Sequence, residues 1–199
     1  MFDDEIVPVA VPQRRGEPVL VTADEGIRPD TTVESLAGLR AAFADGGSIT
    51  AGNSSQISDG ASAVVVTTRG TAEAKGWPVL VTVGASGQTA GPDNSLQAQP
   101  ARAIERACEK QGIAPADLDV VEINEAFGAV VARSQVELGL SSDVVNIHGG
   151  GIAIGHPIGA SGTRLVVHVA HELARRGSGT AAVGLCGGGG QGEALILTR

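Results

Sequence analysis

Three short stretches of this 199-residue chain hold side chains able to move protons or steady a developing negative charge. The first is Asn124-Glu125-Ala126-Phe127. The second is a glycine-rich run from Asn146 to Gly162 with one imidazole, His156, held between Gly155 and Pro157. The third is Cys186 followed by Gly187-Gly188-Gly189-Gly190. Proline fixes its own φ and restricts the residue before it, so His156 is presented by a stiff backbone, as suits a proton carrier or oxyanion donor. The alternative is a loop histidine with no chemistry. Glycine inside a helix or strand costs backbone entropy, so such runs belong where backbone must approach a ligand or another segment closely. The glycines after Cys186 leave N–H groups free to face an oxyanion. An amide, an imidazole and a thiol at one place supply a hydrogen-bond donor, a base and a second base or nucleophile, a set that fits acyl chemistry. Taken singly each has another reading: Asn124 can cap the helix that follows, and Cys186 can be a buried structural thiol.

These groups meet only if the elements carrying them place them together. The composition is 42% hydrophobic but only 2% aromatic, so the core is built of Val, Ile, Leu and Ala. That points to an α/β chain, a mostly parallel sheet covered by helices, rather than an aromatic-rich β sandwich. The spacing predicts strands over Asp119–Ile123, Val144–Ile147 and Thr180–Leu185, each ending just before one of the three stretches, where open α/β sheets place ligands. Helices are expected over Pro100–Gln111, Glu125–Leu138 and Ser161–Arg176, with Ser161 as a cap, and further strands over Val79–Val83 and Glu193–Thr198. Gly84 to Gln99 reads as a polar connection. Upstream, Ile6–Val11 and Pro18–Val21 read as short strands in an irregular region. Thr31 with Glu34 suggests a capping box for a helix reaching Phe43. Thr50 to Gly60 is a small, polar segment, either an ordinary loop or one facing a polar ligand arm. It leads into an apolar run, Ala61–Thr68, expected as a buried strand, and then a short helix to Lys75. Trp77-Pro78 marks a domain boundary.

Several function classes fit poorly. A net charge of −8 opposes nonspecific nucleic-acid binding, which needs a basic surface. No long apolar run predicts a membrane span, and the start of the chain reads as structured rather than as a leader. The two cysteines are far apart, which favours a reducing, cytoplasmic setting over a disulfide framework. His168 and His171 are expected on the solvated face of their helix, opposite Leu165, Val166, Val169 and Leu173. No further ligands at zinc-like spacing make them a metal site. The glycine-rich run also lacks the acidic residue that would complete a dinucleotide fingerprint.

The three stretches, with Thr50-Ala51-Gly52-Asn53 through Asp59-Gly60-Ala61, occur in an order and spacing similar to those of the thiolases, acyl-CoA C-acyltransferases. The resemblance covers essentially all of the chain but about the second half of a thiolase. It implies that residues 1–77 are the remainder of a loop region and last strand of the family's N-terminal domain, and 78–199 its C-terminal domain. It implies Claisen condensation of acyl-CoAs or thiolysis of 3-ketoacyl-CoA, with a coenzyme A thioester as substrate and no covalently bound cofactor. Asn124 would hold a water that, with His156, binds the thioester oxygen, and His156 would also activate the acyl-accepting thiol. Cys186 would remove or return the α-proton, and the Gly188 amide would join a second oxyanion hole. Ser55 would touch the pantetheine arm, Phe127 would line the acyl pocket, and Leu96 would stand where many thiolases carry methionine. Thiolases carry their acylated cysteine in the half that this chain does not match. Cys108, mid-helix and without a glycine loop, reads as a small core residue. The implied partners are acyl-CoA and either further copies of the chain or a complementary N-terminal half. The alternative is a non-catalytic remnant or coenzyme A-binding module. A lipid-carrier thiolase is disfavoured by Asn124-Glu125-Ala126-Phe127, which that branch varies.

Overall fold

The computed structural model describes residues 2–199. A four-stranded sheet lies between two layers of helix. Its strands are β3 (Thr82–Ala90), β4 (Val120–Ile123), β5 (Thr180–Gly187) and β6 (Gln191–Thr198), in the spatial order β3-β6-β5-β4. On one face pack α3 (Gln99–Gln111) and α4 (Gly128–Leu138), on the other α6 (Ser161–Arg176). Alternation along the strands sorts their side chains between these layers. Val121, Ile123, Ala182, Ala194 and Ile196 meet Ile104, Ala107 and Val130, while Val120, Ala181, Val183 and Leu197 meet Leu165, Val169 and Leu173.

The α/β layering agrees with the sequence reading, but the sheet is mixed rather than mostly parallel. Only β4 and β5 run parallel; β6 is antiparallel to both β5 and β3. The cause lies at two connections. Gly187 to Gln191 is a tight hairpin turn, with Gly189 and Gly190 at positive φ. The first seven residues of the stretch read as a polar connection, Gly84 to Ala90, belong to the strand β3, whereas Val79 to Val81 lies outside any strand. Its Thr-Val-Gly-Ala-Ser-Gly-Gln-Thr-Ala sequence hides the strand because small residues are required there: a Cβ on Gly87 would collide with the Ala103 carbonyl and lie 2.7 Å from the Ala107 nitrogen of α3.

Other boundaries also move. Val144–Ile147 forms a single parallel bridge, Val121 to Val145, instead of a strand. The helix expected from Glu125 starts at Gly128, so Asn124 is not its cap. Upstream, β1 (Val9–Val11) and β2 (Val19–Val21) form an exposed antiparallel pair. The next helix is the short α1 (Val33–Ala37), capped by Thr32 with Ser35 rather than by Thr31 with Glu34. The helix α2 (Arg69–Lys75) ends at Gly76 in the left-handed region. The run Ala61–Thr68 is neither buried nor a strand. Val65 is 86% exposed, and no ladder pairs this run among the described residues. A β-branched run needs a neighbour to become a strand, and the described residues offer it none. No helix among the described residues is long and apolar enough to cross a membrane.

Candidate active site

The site is built where β4 and β5 end. Asn124 follows β4 directly, and its backbone N–H donates to the Gly184 carbonyl of β5 at 2.9 Å, so the ladder extends one residue past the strand. Its side chain is 1% exposed, and Nδ2 lies 3.3 Å from His156 Nε2. His156 reaches it from the loop between the short helix α5 (Gly151–Ile154) and α6. The other ring nitrogen, Nδ1, lies 2.6 Å from Ser161 Oγ, which donates to the Pro157 carbonyl at 3.0 Å. With the hydroxyl hydrogen given to Pro157, the serine oxygen accepts from Nδ1–H, and Nε2 keeps a lone pair facing the Asn124 amide. Burial, and secondarily the Arg164 guanidinium, push the His156 pKa below its ordinary value, so the ring is neutral near pH 7. Asn124 Oδ1 is buried with no hydrogen-bond partner among the described residues. A buried, unpaired carbonyl oxygen costs about 1–3 kcal/mol, and a donor such as a water or a ligand N–H or O–H would relieve it.

The polar loop ahead of Ala61 ties these two segments together. The Ser55 N–H and hydroxyl both reach the Ala126 carbonyl at 3.2 Å, Asn53 accepts from Gly128 N–H at 2.7 Å, and His156 N–H donates to the Gln56 carbonyl at 3.0 Å. Phe127, beside Ser54 in an isolated bridge, meets Phe43 edge-on at 5.8 Å and packs on the core layer under α3 and α4.

Cys186 lies near the end of β5. Ile123 is opposite Gly184 in the parallel register, so Asn124 falls beside Leu185 and Cys186 is one residue beyond. At about 4.8 Å between strands and about 3.3 Å per residue, that offset leaves the two Cα positions roughly 6 Å apart. Cys186 packs toward the layer that also holds Phe127 and Leu96. No hydrogen bond among the described residues joins Cys186 to Asn124 or His156. Burial raises the Cys186 pKa, partly opposed by a backbone hydrogen bond, so the thiol holds its proton at neutral pH. Gly188 is exposed in the turn, with open space where a Cβ would stand. Leu96 approaches from the segment after β3. There Gly91 N–H donates to Gly190 at 2.9 Å, and the absence of a Gly190 Cβ lets Asp93 pack against the turn. Cys108 is 1% exposed in α3, a core residue as expected.

Three residues that sequence reasoning did not single out for this site hold it together. Ser161 is the first residue of α6 and orients His156 instead of capping the helix. Asn146 and Glu125 bond across its base. Only their position inside the two singled-out stretches hinted at them. One expectation fails outright: His168 is not solvated but 3% exposed, bonded to Glu5 at 2.9 Å and His148 at 3.1 Å, with Glu122 at 3.9 Å. Glu122 is fully buried on β4, 3.9 Å from Arg164, and burial raises its pKa to about 8. Among the described residues no group of three His, Cys, Asp or Glu is placed to hold a metal ion.

A mixed sheet between two helix layers makes this an α/β protein. Residues 77–199 match the thiolase C-terminal domain and residues 1–70 the thiolase N-terminal domain, and this chain belongs to the thiolase family. It is 57% identical over 199 residues to a probable acetyl-CoA acetyltransferase of Mycolicibacterium smegmatis, covering all of this chain and 51% of that protein. It is 48% identical to an acetyl-CoA acetyltransferase of Pseudomonas aeruginosa, covering 50% of it. Among solved structures, the Bacillus anthracis acetyl-CoA acetyltransferase superposes with a TM-score of 0.94 at 40% identity, over 99% of this chain and 50% of that one. Human mitochondrial 3-ketoacyl-CoA thiolase in complex with CoA superposes at 0.88 with 34% identity, over 100% of this chain and 49% of that one. The chain thus spans about half the length of these relatives.

Proposed function

We propose that this chain supplies the Asn124, His156 and Cys186 elements of an acyl-CoA C-acyltransferase, acting on a coenzyme A thioester. The observation carrying this reading is the part-buried Asn124–His156 pair, with an unpaired Asn124 oxygen and a neutral imidazole whose Nε2 accepts from the Asn124 amide. A water donating to Asn124 Oδ1 has a second hydrogen for a thioester oxygen, and His156, once protonated, adds another donor to the same oxygen. The resting proton inventory suits thiolysis. Neutral His156 takes the proton of the acyl-accepting thiol as it attacks the 3-keto carbon, and protonated Cys186 gives its proton to the α-carbon of the departing enolate. A coenzyme A thiol, giving its own proton to Cys186, then takes the acyl group, and His156 returns its proton to the acyl-carrying thiol. Condensation runs the same steps backwards. Gly188 N–H supplies a second oxyanion contact, Ser55 meets the pantetheine arm, and Phe127 and Leu96 bound the acyl pocket.

On this reading residues 1–77 complete an N-terminal domain, residues 78–199 form the C-terminal one, and the acyl-carrying thiol comes from a complementary N-terminal half. Burial raises the pKa of both thiols here, and Cys108 is enclosed, so neither suits that role. We place the assembly in the cytoplasm. The test is to produce the chain together with the part of the M. smegmatis relative that it does not match, and to follow thiolysis of a 3-ketoacyl-CoA. Turnover that disappears in His156→Ala and Cys186→Ser supports the reading. An assembled pair that binds coenzyme A without turnover makes the chain a binding module instead.

A further inference from the structure

Strand β4 lies at the edge of its sheet, so the outward backbone groups of Ile123 have no strand beside them. An asparagine side chain takes its place. Asn146 Oδ1 accepts from Ile123 N–H at 2.7 Å and Nδ2 donates to the Ile123 carbonyl at 2.9 Å, so the amide pairs as a peptide group of a neighbouring strand would. The backbone of Asn146 makes this possible: its φ of +48° is left-handed, a conformation asparagine tolerates better than most residues, and its own N–H donates to Val121 at 2.9 Å. Nδ2 also reaches Glu125 Oε1 at 3.1 Å. Asn146 therefore grips the chain on both sides of Asn124.

Glu125 carries the grip onward. Its second oxygen, Oε2, accepts from Ile152 N–H at 3.0 Å, near the start of the one-turn helix that ends at Ile154 and leads through Gly155 to His156. Gly150 gives the carboxylate room; a Cβ there would lie 2.8 Å from Glu125 Cδ. Two side chains thus connect the strand end bearing Asn124 with the loop bearing His156. We infer that Asn146 and Glu125 form a clamp that fixes the separation and facing of Asn124 and His156, as positioning residues of the acyl-transfer site. Its catalytic meaning rests on the function proposed above; its geometry does not.

The clamp is read on the chain itself, without acyl-CoA. The measurements are the His156 imidazole titration by NMR and amide hydrogen exchange, for wild type, Asn146→Gly, Glu125→Gln and the double variant. Glycine accepts the positive φ, so Asn146→Gly removes the side-chain bonds without straining the backbone. Glutamine keeps one acceptor oxygen but turns the other into a donor, so one of the two bonds made by Glu125 is lost. Burial holds the His156 pKa down, so a loosened loop raises it, whereas removing a negative charge from Glu125 would by itself lower it. The two effects have opposite signs. We expect the His156 midpoint to rise in both variants and the Ile152 amide to exchange about tenfold faster, the loss of one hydrogen bond. Exchange at Ile196, deep in the sheet, stays as in wild type. The double variant is no worse than the more affected single one, because both break one link. A His156 midpoint that stays or falls in the folded variants, or effects that simply add, overturns the clamp. If Glu125→Gln does not fold, Asn146→Gly alone decides. Failure of the acyl-transfer reading leaves these outcomes untouched, and failure of the clamp leaves wild-type turnover untouched.

Discussion

His156 is held by two neighbours at opposite ends of its ring. Ser161 takes the Nδ1 hydrogen, and Asn124 faces the lone pair on Nε2. Removing the serine hydroxyl frees the ring to rotate and to change tautomer. In the assembled enzyme, Ser161→Ala is expected to lower kcat about tenfold, the worth of one orienting hydrogen bond, with KM little changed. A KM effect with normal kcat would place Ser161 in substrate binding instead. The pH profile of thiolysis follows from the same groups. On the proposed function the rate needs neutral His156 and protonated Cys186, so its acid limb is expected below the ordinary imidazole value of 6.5 and its alkaline limb above the ordinary thiol value of 9.0. A limb between those values contradicts the assignment. His156 and Cys186 were legible in the sequence because glycine and proline frame them, and Asn124 because an apolar strand run precedes it. Ser161, Asn146 and Glu125 were not, because their work is done by hydrogen bonds between segments far apart in sequence. His168 misled for a related reason. Helical periodicity put it on the polar face, but Phe2 at 5.5 Å between ring centroids, Glu5 and His148 cover that face.

The helices were legible where left-handed glycines stop them, at Gly76, Gly112, Gly139 and Gly177. Strands built from Val, Ile and Leu were also found, since buried strands leave continuous apolar runs. The strand β3 was missed because its glycines and short polar side chains answer to the helix above it rather than to strand propensity. That gives a direct test. In Gly87→Ala the new Cβ meets the α3 backbone, which cannot yield as a side chain would. Overpacking of this kind costs about 1–3 kcal/mol, to be read as a lowered midpoint in urea. An unchanged midpoint would mean that α3 stands further from the sheet than described. Ala61–Thr68 is the converse error: its composition is that of a buried strand, but a strand exists only in a pair.

The exposed apolar run at Val64, Val65 and Val66, with Val79, Leu80 and the β1–β2 pair, leaves this chain with surface that soluble monomers seldom show. Association is the expected result, either with a complementary half or with itself. A single monomeric species at micromolar concentration by analytical ultracentrifugation would count against it. The buried ionic cluster under α6 sets a second whole-chain property. Glu122 titrates near 8 when folded against an ordinary value of 4.5, so the folded state binds the extra proton between these limits. Its contribution to stability is complete below about pH 4.5 and is lost as pH rises through 8, at a slope of at most about 1.4 kcal/mol per pH unit. Glu122→Gln should flatten that decline; a variant losing stability over the same range as steeply as wild type would assign the proton elsewhere.

On the proposed function, the amide that follows β4, the imidazole of the α5–α6 loop and the thiol near the end of β5 act on one thioester, with the thiol handling the α-proton. Exchange of the acetyl methyl hydrogens of acetyl-CoA in deuterium oxide, followed by NMR with the co-produced complementary half present, reads that step without the rest of the reaction. Wild type should exchange them, Cys186→Ser should lose at least about a thousandfold in rate, and Asn124→Ala should fall by about a hundredfold or more, as for loss of an oxyanion donor. Exchange at the wild-type rate in Cys186→Ser would contradict the assignment.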